Sequence, residues 1–286
     1  MKQTYRQIHA TPKPFVKWAG GKRQLISILN ENLPKTFGTY YEPFLGGGAL
    51  LFHILTEKNG PKCSISDLNS DLVLAYTTIR DRVDELISSL KSHEKNYQKD
   101  SKSYYYSVRY TNPRSEIEKT SRLLFLNRTC FNGLYRVNLK GKFNVPLGKY
   151  TNPNIVNEEN LRSVSSILQA SRVSIKCRDF GAVLRDAKKG DLVYFDPPYQ
   201  PVSETANFTS YTSKNFSLDD LSRLVELCQN LDEKGCKVLL SNSDSKEVSE
   251  MFSKKPWKIS KVRANRSINS DSKKRTGHFE LLIKNY

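Results

Sequence analysis

Apolar positions along this chain switch between two periods. Short apolar runs suited to strands alternate with stretches at helical spacing, and that order predicts an α/β protein. Phe15-Val16-Lys17-Trp18-Ala19-Gly20-Gly21-Lys22 is a short apolar lead into a Gly-Gly turn. Arg23 to Leu33 then carries Leu25, Ile28 and Leu29 at helical spacing and is closed by Pro34. Thr39 to Phe44 reads as a strand, Gly46-Gly47-Gly48 as a turn, Ala49 to Leu55 as an apolar helix, and Lys62 to Ser66 as a strand ending at Asp67. Helix, strand, glycine-rich turn, helix, strand and acid make half of a doubly wound sheet.

From about Asn69 to Tyr150 the pattern changes. Leu72 to Ser92 reads as one amphipathic helix, followed by a polar, Tyr-rich segment through Tyr110 and a helix around Glu116 to Asn127. Asn132-Gly133 and Lys140-Gly141 are hairpin-type dipeptides flanking Leu134 to Leu139. The stretch is predicted to be a helical insertion with a hairpin. Pro153 onward resumes α/β order: helix Glu158 to Ala170, strand Val173 to Lys176 ending at Asp179, helix Leu218 to Asp232 and strand Lys237 to Ser241. Two late strands are expected around Trp257 to Val262 and Phe279 to Ile283. Val202 to Ser217 and Ala264 to His278 read as polar loops able to move.

The most informative run is Asp191 to Tyr199, DLVYFDPPY. Leu192 to Phe195 suits a buried parallel strand, and two consecutive prolines cannot continue a sheet ladder. Asp196, Pro197, Pro198 and Tyr199 thus fall at the carboxyl end of a strand, where open α/β sheets bind ligands. There Asp196 and the Pro197 carbonyl can accept two N–H bonds from a flat heterocycle bearing an exocyclic amine, with Tyr199 stacked on its ring. A strand ended by a Pro-Pro turn, with Tyr199 packed at the surface, is the plainer alternative.

Other candidates surround this one. Glu42-Pro43-Phe44-Leu45-Gly46-Gly47-Gly48 joins a strand to a helix, so its backbone can approach a ligand closely, although a mere tight turn fits as well. No lysine follows at the spacing of a triphosphate cradle. Asp67 can accept from two ribose hydroxyls or cap the next helix. Trp18 and Lys22 can stack an adenine and neutralise a carboxylate; Trp18 alone would suit a core.

Composition adds a partner. The 286 residues carry a net charge of +17, unevenly spread. Lys119 to Asn157 holds no acid but has Lys119, Arg122, Arg128, Arg136, Lys140, Lys142 and Lys149, and the stretch from Met251 has ten Lys/Arg against Asp271 and Glu280. Two basic, aromatic-bearing stretches suggest a nucleic-acid clamp. No long apolar span or signal segment is visible, so the protein is expected to be soluble and cytoplasmic, with no membrane partner. Cys63, Cys130, Cys177, Cys228 and Cys236 lack CxxC spacing and read as reduced, buried thiols. With the four histidines also dispersed, no metal site is expected.

The order FVKWAGGK (15–22), YYEPFLGGGALLF (40–52), ISDLNSDL (65–72), a long insertion and DPPY (196–199) resembles the Dam family of DNA adenine-N6 methyltransferases, in its α-type arrangement, nearly end to end. RTCFNGLYRVN (128–138), KFNVPLGKY (142–150) and FTSYTSKNFS (208–217) are similar to the GATC-methylating branch, close to DpnM-type restriction–modification enzymes. The resemblance implies a Rossmann-like S-adenosylmethionine-dependent methyltransferase sheet from 1–68 and 151–286, with a target-recognition insertion at 69–150. It implies S-adenosylmethionine as cofactor, held by Trp18, Lys22, Glu42, Phe44, Gly46, Gly48, Asp67 and Asp196, with Asp179 and Phe180 beside its adenine. Asp196, Pro197, Pro198 and Tyr199 match the catalytic tetrapeptide. Asn132, Leu134, Arg136 and Pro146 match base contacts in double-stranded GATC, and Arg128, Lys149 and Tyr150 neighbouring DNA contacts. Lys140, at its turn, suits phosphate. A restriction endonuclease is a possible functional companion. Two other classes compete: a non-catalytic DNA-binding regulator, which intact DPPY disfavours, and an amino-methyltransferase of RNA or protein glutamine, which usually has Asn where Asp196 stands.

Overall fold

Two short parallel strands carry the centre of the molecule, β1 (Tyr40–Glu42) and β4 (Leu192–Phe195), paired Tyr40 to Leu192 and Tyr41 to Val193. Every residue of both is buried, as expected of strands covered on two faces. The computed structural model describes residues 11–18, 20–58, 60–138, 140–199, 216–264 and 278–286. The predicted loops at 202–217 and 264–278, Leu139 and the extreme N-terminus fall wholly or largely outside these.

A seven-stranded sheet is completed by β2 (Cys63–Asp67), β3 (Val173–Cys177), β5 (Lys237–Ser243), β6 (Lys258–Ala264) and β7 (His278–Lys284), in the order β3-β2-β1-β4-β5-β7-β6. Strands β1 to β5 are parallel, and β7 runs antiparallel between β5 and β6. The chain winds outward from β1 to β2 and β3, then returns to start the other half at β4. The topological switch therefore falls between β1 and β4, and a crevice opens beyond their carboxyl ends.

Period-two alternation sorts the strand residues between two cores. Tyr40, Leu192, Tyr194, Leu239 and Leu282 face one core with α1 (Ile26–Asn32), α2 (Ala49–Glu57), α3 (Ser70–Asp81) and α7 (Glu158–Ala170). Tyr41, Val193, Phe195, Val238, Leu240, Leu281 and Ile283 face the other, with α8 (Val183–Asp186), α9 (Leu218–Glu233) and α10 (Lys246–Met251). The first core continues without a break into α4 (Val83–Lys99), α5 (Ser101–Tyr110) and α6 (Glu116–Thr129) through Leu86, Leu90, Tyr105 and Phe125. Among the described residues no helix is long and apolar enough to cross a membrane.

Four expectations need correction. The single helix from Leu72 to Ser92 is two, because Arg82 leaves helical geometry (φ −140°, ψ 42°); Asp84 and Glu85 then favour a fresh N-terminus. The Tyr-rich segment is α5, capped by Asp100, whose side chain accepts from Ser103 N; Tyr105 and Val108, three apart, are its buried face. The stretch after Gly133 forms no regular strand over its described residues; the hairpin is held by the bridges Cys130 to Leu147 and Val137 to Phe143 and by Asn138 N and Asn144 N, which donate to the Lys142 and Arg136 carbonyls. Its turn lies at Asn138 to Gly141, while Asn132-Gly133 makes a 3-10 turn after α6. Cys177 is exposed, unlike the other four free cysteines.

Candidate active site and DNA-facing segment

The turn at Lys22, the end of β4 and the start of β7 meet at the carboxyl edge of the sheet. Lys22 is almost wholly buried, and its ammonium donates to Asp196 Oδ1 (2.7 Å), the Tyr199 hydroxyl (2.8 Å) and the Gly20 carbonyl (3.0 Å). It also lies 4.8 Å from the Tyr199 ring centre. Burial raises the Asp196 carboxyl to about 6, with the nearby Lys22 ammonium holding it down. Asp196 is therefore largely ionised at neutral pH. Glu42, on β1, accepts from the Tyr40 hydroxyl (2.8 Å), and burial carries its carboxyl to about 8 despite that bond. It is protonated at neutral pH. Pro197 is buried and Pro198 exposed.

The glycine turn sits beside this corner. Gly46 (φ +49°) and Gly48 (φ +66°) take left-handed geometry, and a Cβ on Gly48 would fall 2.5 Å from the Tyr76 hydroxyl oxygen. Asp67 Oδ2 accepts from Gly46 N (3.0 Å) and Oδ1 from Asn69 N (2.9 Å). The cap of α3 is Asn69, which accepts from Leu72 N, so Asp67 closes the β1–α2 turn instead. Burial raises its carboxyl above the usual value. Trp18 packs over Gly46 and stacks on Tyr135, ring centres 5.2 Å apart. Phe44 stacks on Phe180 at 5.1 Å, while Asp179 caps the next turn through Gly181 N and pairs with Arg223 (2.9 Å). Of the proposed cofactor positions, Trp18, Gly46 and Asp67 thus meet at one turn, and Phe44 meets Phe180 beside Asp179.

The DNA-facing candidates lie on the stretch from the end of α6 to Tyr150. Asn132 is held in left-handed geometry (φ 55°), and Leu134 is half-buried. Arg136 is half-buried, its Nε donating to Asn144 Oδ1 at 2.8 Å. Lys140, Pro146 and Lys149 are exposed. The Tyr150 ring lies under the Lys17 ammonium (4.8 Å) and packs over Gly148, where no Cβ would fit. Arg128 stands apart: it is half-buried, its Nη2 donates to the Phe15 carbonyl (2.8 Å), and it ties α6 to the N-terminal segment.

Several residues at these sites were not foreseen. Asn127 accepts from Lys17 N and donates to the Lys17 and Gly133 carbonyls, joining the segment before Lys22 to the Asn132-Gly133 turn. Tyr135 donates to Asp71 Oδ2 (3.1 Å) at the start of α3. Glu280, buried at the start of β7, faces Lys22 at 3.6 Å; the visible signal was a lone acid within the run FELLI. Among the described residues no group of His, Cys, Asp or Glu is arranged to hold a metal.

Residues 18–268 match the family described as D12 class N6 adenine-specific DNA methyltransferase. The chain is 44% identical to the type II methyltransferase M.MjaIII of Methanocaldococcus jannaschii, over 96% of this chain and 99% of that protein. It is 40% identical to the type II methyltransferase M1.LlaDCHI of Lactococcus lactis subsp. cremoris, over 96% and 95%. With the DNA adenine methylase of Escherichia coli it shares 30% identity over 95% of each. The chain belongs to the D12 class of N6 adenine-specific DNA methyltransferases, and S-adenosylmethionine is its methyl donor.

Proposed function

We propose that this enzyme methylates adenine N6 within GATC in duplex DNA, with the target base swung out of the helix to reach Asp196. The observation that supports this most is the position of Asp196. It is a largely ionised carboxylate at the switch point of the sheet, with a buried proline next in sequence and Tyr199 completing the corner.

The residues present fit the cofactor. Asp67 is a half-buried acid whose oxygens each have one backbone donor and capacity for a ribose hydroxyl. Trp18, Glu42, Phe44, Gly46 and Gly48 line the approach to it, Asp179 and Phe180 the adenine side, and Lys22 the methionine carboxylate. S-adenosylmethionine supplies a methyl group activated by its sulfonium. Asp196 and the Pro197 carbonyl accept both N6 hydrogens of the adenine, favouring a more tetrahedral nitrogen with an available lone pair. The protein contributes position, and negative charge where N6 becomes positive. Pro198 stiffens the turn, and Tyr199 stacks on the base. A stacked base cannot reach this corner, so flipping precedes chemistry at a cost of a few kcal/mol.

Base reading falls to the insertion at 69–150. Arg136 suits guanine O6/N7, Leu134 or Pro146 a thymine methyl, and Asn132 a base edge beside them. Lys140, Lys149 and Tyr150 suit the backbone, whereas Arg128 supports the segment from inside. The relatives of higher identity are named type II methyltransferases, which favours pairing with a restriction endonuclease over a solitary role. A cytoplasmic location follows from a DNA substrate. The test is to incubate plasmid with enzyme and S-adenosylmethionine, then digest with a GATC nuclease blocked by adenine methylation. Protection confined to GATC is expected; methylated DNA still cut at every GATC would overturn the assigned sequence.

A further inference from the structure

Glu280 lies beyond the matched stretch 18–268. Its location follows from topology. Strand β7 is antiparallel to β5, so its first residues arrive at the edge where the parallel strands end; Glu280 pairs with Ser243. It lies two residues from Leu282 and so shares the face of Tyr40, Tyr194 and the first core. Its side chain is buried, and its Oε2, 3.6 Å from the Lys22 ammonium, has no hydrogen-bond partner. Burial, with Asp196 and Glu280 close by, pushes the titration of the Tyr199 hydroxyl upward. The three protons of Lys22 are already given to Asp196, Tyr199 and Gly20. The ammonium therefore has one more acceptor around it than it has protons. A buried carboxylate oxygen left without a donor is costly, and a shift of under about 1 Å would bring Lys22 to it.

We propose that Glu280 is a positioning residue that acts through Lys22, as a second seat into which the ammonium moves when the adenine amine takes its place at Asp196. This rests on the assignment of Asp196 as acceptor of N6. The groups facing the seat are Lys22, Asp196 and Tyr199, with Glu42 next to Asp196; just after β5, Asp244 is already paired with Lys261 of β6. Glu42 is protonated at neutral pH, so one ammonium between two carboxylates leaves one net negative charge. That charge complements the positive charge developing on N6. With Lys22 kept only on Asp196, a cation would instead hold the oxygen nearest the reacting amine.

Glu280→Gln removes the charge and keeps the shape. Steady-state kinetics from pH 5 to 9, S-adenosylhomocysteine titration without DNA and an Asp196→Asn control together test the proposal. In the Gln variant kcat should fall about tenfold, with both KM values within about threefold. Its acid limb should move to lower pH by about half a unit, because a like charge beside Asp196 is gone. S-adenosylhomocysteine affinity should stay within about threefold of wild type, since without DNA no amine occupies Asp196 and Lys22 keeps the place from which it meets the methionine carboxylate. Glu280→Asp should keep the acid limb and lose only about threefold in kcat. Wild-type kcat and acid limb in the Gln variant overturn the proposal. So does a rate loss without movement of the limb, or a loss of S-adenosylhomocysteine affinity beyond about tenfold. Should the Gln variant not fold, Glu280→Asp decides: an undiminished kcat or a displaced limb overturns the proposal. An active Asp196→Asn would overturn the underlying reading, whereas an inactive one beside a wild-type-like Glu280→Gln sinks the second seat alone.

Discussion

The corner around Asp196 and the segment around Arg136 are both polar, yet they are built in opposite ways. In the corner, ionisable groups are buried or nearly so and tied by hydrogen bonds: Lys22 to Asp196, Tyr199 and Gly20, and Glu42 to Tyr40. In the segment the backbone is fixed while Lys140, Pro146 and Lys149 stand at the surface. The backbone there is pinned by Asn138, which accepts from Lys140 N and Lys142 N, and by Asn127 beneath the turn. The difference suits the work proposed for each. Stabilising a developing charge needs dipoles and charges already in place, because reorganising them during the reaction costs energy. Meeting DNA needs side chains that can exchange water for it, as the exposed Lys140 and Lys149 proposed for the backbone can, while the proposed base reader Arg136 is half-buried and held by Asn144.

The sharpest way to break this contrast is to remove the central group of the corner. Asp196→Ala should lower the methylation rate by about 10²–10⁴-fold with the fold retained, because it deletes the N6 acceptor and the main partner of Lys22. A variant keeping more than roughly a tenth of the rate would show that the corner is not where charge is managed. In the wild type, the rate should fall as pH drops below about 6, where Asp196 takes up its proton.

Glu42 tests whether the corner was assembled at the expense of stability. Its carboxyl sits at about 8 in the fold against 4.5 ordinarily, chiefly through burial. The folded state binds more protons than the unfolded one between those values. This contribution to stability is therefore complete below about 4.5 and lost as pH rises through about 8. Glu42→Gln should be more stable than wild type by about 2–4 kcal/mol at pH 8–9, with the gap closing toward pH 5. Parallel stability curves across that range would show that Glu42 is not held protonated.

Asp67 lies between the two kinds of region, since it both ties the turn and is assigned to the ribose. Asp67→Ala should weaken S-adenosylhomocysteine binding by about 1.5–3 kcal/mol, through lost charge-assisted bonds. A lower melting temperature with unchanged affinity would make it a turn-closing residue only.

The two regions also differ in how far they could be read from sequence. The central strands are near-continuous apolar runs ended by Asp67 or by DPPY, so period, breaker and acid coincide, and the ends of β2 and β4 fell where expected. Residues brought together by topology were less visible. Nothing local tells Glu280 that β7 will turn antiparallel and deliver it beside Lys22, 258 positions away in number. In the insertion, α5 hid because Tyr105 supplies its buried face, and tyrosine reads as polar. The hairpin misled because Asn-Gly signals left-handed geometry without saying whether a strand or a helix precedes it. Arg128 and Arg136 look alike as letters; only packing sends one to the Phe15 carbonyl and the other to Asn144.

The finest comparison lies within the segment around Arg136 itself. Arg136 is half-buried with Nε held by Asn144, whose own N–H donates to the Arg136 carbonyl (3.1 Å), so the plane of its guanidinium has a fixed reference. Lys140 sits exposed on the turn closed by Gly141 N to the Asn138 carbonyl (2.8 Å), with a side chain that has no plane to fix. A fork held in a plane can discriminate a guanine by about 1–3 kcal/mol, while a lone ammonium on a turn meets phosphate and carries no sequence information. Arg136→Ala should therefore relax or abolish discrimination at one guanine-bearing position. Asn144→Ala should do the same more weakly, by releasing the plane. Lys140→Ala should weaken binding on all duplexes alike and reduce the salt slope by about one. Methylation rates on duplexes altered one base pair at a time, at two salt concentrations, separate the three. If Arg136→Ala lost activity equally on every duplex with sequence preference intact, Arg136 would join Lys140 as a backbone contact.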